Sequence, residues 1–133
     1  MAYSYDRRRI RASDDRLSEW QGLVLDVVKT AQAIAEALDK STDSDALDAP
    51  REPAKELVDD LSSAETCETE RDFLANLRAA KASVGKLEAA LKLAKRDAKK
   101  ERDADALEAI ADASEDLTSV VRELREIEGE IND

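Results

Sequence analysis

Histidine is absent from this 133-residue chain and cysteine occurs once. Glycine occurs three times, proline twice, and the aromatic residues are one tryptophan, two tyrosines and one phenylalanine. Each scarcity closes a route. Without histidine the usual general base at neutral pH is missing, and with a single cysteine nearly all soft metal-ligand chemistry goes with it. An enzyme would have to work with carboxylates and lysines alone. Three glycines leave no material for a phosphate-cradling loop, and no nucleotide-binding, zinc, nucleophile-elbow or kinase pattern occurs. Cys67 has no partner for an internal disulfide, which fits a reducing compartment. No apolar run is long enough to span a membrane, and the opening MAYSYDRRRIRAS lacks the apolar stretch of a signal peptide, so the expected setting is cytoplasmic.

What the chain does contain is charge and helical periodicity. Three stretches carry apolar residues at unbroken three-and-four spacing: Leu17, Trp20, Val24, Val27, Ala31, Ile34, Leu38; then Phe73, Leu77, Ala80, Val84, Leu87, Leu91, Ala94, Ala98; then Ala106, Ile110, Ala113, Leu117, Val120, Leu124, Ile127, Ile131. Each is a seam along one side of an α-helix. Leu23, Leu25, Val28, Leu74, Leu93, Leu107 and Val121 flank the seams and are expected to widen them, so that each helix meets more than one neighbour.

The breaks are read from local chemistry. Ser13 before Asp14 and Asp15 reads as an N-cap with acids in the first turn. STDSDALDAPREP, with both prolines, reads as a linker, and Pro53 suits the first turn of a short second helix. Thr69 with Asp72 resembles a capping box ahead of Phe73. Near 99–105 neither Gly nor Pro forces a turn, but cations precede anions there, as two helix dipoles meeting end to end would favour. The prediction is an all-α fold: a three- or four-helix bundle built on a long antiparallel helical hairpin with coiled-coil-like seams. The expected helices cover about 14–40, 53–65, 70–100 and 104–131, with a linker at 41–52. A flexible basic arm at 1–12 precedes a single domain at 13–133.

The net charge of −11 hides an asymmetry. Residues 73–102 hold nine bases and three acids, whereas 103–133 hold eleven acids and two bases. Packed antiparallel, the basic helix would lie against the acidic one. Lys92, Lys95, Lys99 and Arg102 share a face and read as an internal electrostatic complement. Carboxylate pairs such as Asp59-Asp60 and Glu115-Asp116 read as solvated helix faces.

Trp20 and Gly22 form a Trp-x-Gly tripeptide that resembles the signature of a family of small secreted helical hairpins. In that family the motif lies in the turn between two helices, whereas here it falls near the start of a long seam, and no C-terminal Tyr-x-x-x-Asp/Glu follows. Trp20 is therefore read as a core anchor, and Gly22 as a place where a neighbouring helix approaches closely.

Function follows from these faces. The expected role is a non-enzymatic helical protein-interaction or assembly module, self-associating, with no cofactor, metal, small-molecule substrate or membrane partner. Its core or interface residues are Leu17, Trp20, Val27, Ile34, Phe73, Leu77, Leu87, Leu91, Leu117, Leu124 and Ile127. One alternative is a nucleic-acid-associated protein using Arg7, Arg8, Arg9 and Arg11, an arm that an acidic partner could also take. Another is an acidic inhibitor that mimics nucleic acid and binds a basic protein.

Overall fold

The computed structural model describes the backbone over residues 2–40 and 45–132, and side chains from residue 16 onward apart from 41–44. Four α-helices follow one another: α1 (Ala2–Asp39), α2 (Asp48–Thr66), α3 (Glu70–Glu101) and α4 (Ala104–Asn132). A single 3-10 turn, Asp45–Leu47, leads into α2, and no strand occurs among the described residues. Helix α1 packs on α2 and α4, and α3 packs on the same two. The chain is thus an all-α bundle in which α1 and α3 occupy one diagonal.

The seams close this bundle. Every residue of the first two is buried, as is the third from Ala106 to Ile127, and Phe73, Leu57, Leu61, Leu87, Ile34 and Leu38 have no exposed surface. Burial of one long stripe along each helix supplies the main driving force for this arrangement. Trp20 and Phe73 bridge the diagonal, with ring centroids 5.5 Å apart. Of the flanking apolar residues, Val28 is buried and Leu74, Leu107 and Val121 are half-buried, but Leu23, Leu25 and Leu93 stay exposed at 41%, 43% and 54%. The seams are therefore widened at some flanking positions and not at others.

Helix boundaries depart from expectation at two places. Helix α1 does not begin at Ser13; its backbone is helical from Ala2. Residues 2–13 contain neither Gly nor Pro, and alanine and arginine are good helix formers, so nothing stops propagation through the serine. The arm expected at 1–12 is thus a continuation of α1, while the side chains of Arg7, Arg8, Arg9 and Arg11 lie outside the described residues. Helix α2 begins at Asp48 and contains Pro53. Proline has no N–H to donate, so the Ala49 carbonyl one turn back is left out of the helix ladder, which a helix start tolerates. Arg51 holds this corner: its Nε donates to the Leu38 carbonyl at 3.2 Å, and its Nη1 meets Asp48 Oδ1 at 2.6 Å.

The other two junctions are built by caps. At Cys67–Thr69 the chain is extended, and Thr69 Oγ1 accepts the Asp72 N–H at 3.1 Å to start α3. From α1, Gln21 Nε2 donates to the Cys67 carbonyl at 2.8 Å and to that of Ala64 at 3.2 Å, satisfying acceptors that the end of α2 leaves open. At the α3–α4 junction Arg102 takes a left-handed conformation (φ 57, ψ 38), and the Asp103 N–H reaches back to the Ala98 carbonyl at 3.0 Å. Asp103 then caps α4, its Oδ1 accepting from Ala106 N–H at 3.0 Å. One residue closes a helix and the next opens another.

Candidate functional site

All eleven residues expected at a core or interface are buried in the chain's own bundle: Leu17, Trp20, Val27, Ile34, Phe73, Leu77, Leu87, Leu91, Leu117, Leu124 and Ile127. The surface left to solvent therefore lies outside the seams. Two grooves stand out.

The first runs between α3 and α4. These helices approach each other less closely along their length than α2 and α3 or α1 and α4 do, although a tight turn joins them. Three hollows of about 330, 380 and 190 Å³ lie along the gap, neighbouring ones sharing lining residues. Their floor is apolar, formed by Leu91, Ile110 and Leu117 toward the turn, Val84, Val121 and Leu124 in the middle, and Leu74, Leu77 and Ile131 at the far end. Glu88, Lys92 and Lys95 stand on the α3 rim of the first hollow, opposite Ser114 and Thr118. Lys81 Nζ crosses the groove to Glu128 Oε1 at 2.6 Å.

That pair is the point at which the expected electrostatic match of α3 with α4 is realised. Lys86 turns the other way, to Glu56 of α2 at 3.9 Å. Lys92, Lys95, Lys99 and Arg102 have no ion-pair partner among the described residues, so this face is not an internal complement. The reason is geometric. The acids of the neighbouring half of α4, among them Asp105, Glu108, Asp112 and Glu115, are exposed and point to solvent, and the groove keeps the helices apart.

The second groove lies between α1 and α4, with a volume of about 510 Å³. Leu23 and Ile127 supply apolar surface, and Asp26, Glu123, Glu126 and Glu130 surround it with carboxylates. Glu123 Oε2 is buried and makes no hydrogen bond. Burial, then the nearby Asp26 charge, pushes the Glu123 carboxyl above its ordinary value, and Glu126 adds to the effect while Arg122 opposes it. Gly129 lines the same groove, and a Cβ there would meet nothing within 4 Å.

Gly22 is not a point of close helix approach either, since a Cβ built on it also meets nothing within 4 Å. The Trp-x-Gly tripeptide sits inside α1, where Trp20 is packed in the core and Arg16 lies over its ring at 5.0 Å. Sequence reasoning missed Ser83, buried at 4% exposure, whose Oγ donates to Asp60 Oδ2 at 2.8 Å. Ser83 lies at seam spacing, three residues after Ala80 and four before Leu87, and was passed over because it is polar. Among the described residues no group of three or more Cys, Asp or Glu side chains is placed to hold a metal ion, and no helix is long and apolar enough to cross a membrane. Comparison of the chain with protein-family models, with curated proteins and with solved structures finds no match.

Proposed function

We propose that this chain is a non-enzymatic helical protein-interaction module that receives an acidic amphipathic helix along the α3–α4 groove. The supporting observation is the combination of an apolar floor with a rim on which Lys92 and Lys95, beside a single carboxylate, Glu88, form no ion pair among the described residues. A helix laid in such a groove buries its apolar side chains on Leu91, Ile110 and Leu117 and places its carboxylates against the lysines. Net negative charge elsewhere on the chain then disfavours acidic partners that approach any other face.

The test is a calorimetric titration with a synthetic peptide of leucine and glutamate heptads, in parallel with a duplex DNA and a lysine-rich peptide. The expected result is binding of the acidic peptide that weakens with salt and falls about tenfold in Lys92→Glu/Lys95→Glu. No binding, or binding indifferent to that reversal, removes this reading. Uptake of DNA would move it to a nucleic-acid-associated protein, and uptake of the lysine-rich peptide to an acidic inhibitor of a basic protein.

A further inference from the structure

One line of residues on α3 borders the α3–α4 groove. Lys81, Gly85, Glu88, Lys92 and Lys95 all line its middle and first hollows, at intervals of four, three, four and three. That spacing keeps them on one flank of the helix, and Lys99 and Arg102 continue it to the turn. The charge along the line is not uniform. Lys81 is engaged by Glu128, and Gly85 has no side chain to offer. From there to the turn Glu88 is the one anion among cations, and it lies where the middle hollow gives way to the first, lining both. Glu88, Lys92 and Lys95 are exposed, and although Glu88 and Lys92 stand one turn apart on α3, no ion pair joins them.

A helix laid beside α3 has the same rise per residue, so over two turns its flank meets this line at the same intervals. The side chain that faces Glu88 is followed, four and seven positions along, by those that face Lys92 and Lys95. A carboxylate at the first position would sit against another carboxylate at the edge of an apolar floor, where like charges are poorly screened; a lysine or arginine there gains a partner instead. At the next two positions the preference is reversed. Direction follows from the ends. The dipoles of α3 and α4 oppose each other because the helices run antiparallel, which leaves the cations toward the turn to decide. They attract the C-terminus of a docked helix, so that it runs parallel to α3.

We propose that the partner helix of the α3–α4 groove carries one basic residue followed, four and seven positions later on the same flank, by two acidic residues, and that Glu88 selects it. This rests on the groove being a helix site, as proposed above, and narrows the class of partner it takes. An amphipathic helix that is acidic throughout would bind, but with one like-charged contact.

Three amphipathic peptides with a common leucine face test it by calorimetric titration into the full chain. The first carries lysine, then glutamate at four and at seven positions further on; the second carries the same three charges in reverse order; the third carries glutamate at all three. Each peptide bears its pattern on both flanks, so that either may lie against α3. The first is expected to bind about fivefold tighter than the other two. Glu88→Lys is expected to transfer that advantage to the third, and Glu88→Gln to abolish the advantage of the first, with circular dichroism unchanged in both variants. Equal affinity for the three, preference for the reversed order, or a preference that survives Glu88→Lys overturns the inference while leaving the groove a helix site. Failure of all three to bind removes the groove reading and this inference with it.

Discussion

Ser83 and Asp60 face each other across the α2–α3 interface, the serine hydroxyl donating to the carboxylate at 2.8 Å from a position that is 4% exposed. A hydrogen bond to a charged acceptor at such a site holds the two helices in one axial alignment, which sliding apolar seams alone do not enforce. Ser83→Ala keeps the helix and removes the bond, so a loss of about 1 kcal/mol is expected in denaturant unfolding. An unchanged midpoint would show that the alignment is set by packing alone.

Arg102 occupies a left-handed conformation that glycine adopts without strain. Arg102→Gly is expected to raise stability by about 1 kcal/mol and to shift the melting temperature upward. If the melting temperature falls instead, the arginine side chain contributes something that outweighs its backbone strain.

Gly22 lies inside α1 with open space where a side chain would go. Gly22→Ala is therefore expected to stabilise the bundle by about 0.5–1 kcal/mol, since alanine loses less freedom on entering a helix. Thermal unfolding decides: a destabilised variant would mean that a neighbour does come close to this position.

Glu123 binds its proton more tightly folded than unfolded, because burial and the Asp26 charge disfavour its anion. The sign is fixed by linkage. Ionised Glu123 opposes folding, the effect is absent below the ordinary carboxylate range, grows as pH rises through the raised folded value, and is complete above it. Glu123→Gln is expected to gain about 0.5 kcal/mol at neutral pH, the upper end for a substitution outside the core, and to gain nothing in acid. Unfolding across pH at fixed salt measures it; a gain that persists at low pH would point to a different cause.

The seams were legible because a period of 3.6 imposes the same spacing on every buried helix face, and Leu17 through Leu38 or Phe73 through Ala98 could hardly do otherwise. Thr69 could also be found, since a hydroxyl next to an extended residue has one obvious local donor to accept from. Pro53 misled because proline was read as a boundary, while the chain tolerates it within a helix that starts at Asp48. Leu23, Leu25 and Leu93 misled because apolar character says only that a residue could be buried. The fate of the basic face of α3 depends on the spacing between helix axes, and spacing is set by the whole bundle at once. Lys92 and Lys95 were visible in the sequence, but their lack of partners was not.

The only tryptophan is Trp20, 5% exposed beside Phe73, near the start of α3. The molecule thus carries an intrinsic optical reporter at the end where α2 gives way to α3. Its emission should be blue-shifted in the native chain and should follow that end selectively. A spectrum recorded against denaturant would then register the opening of that end without any label.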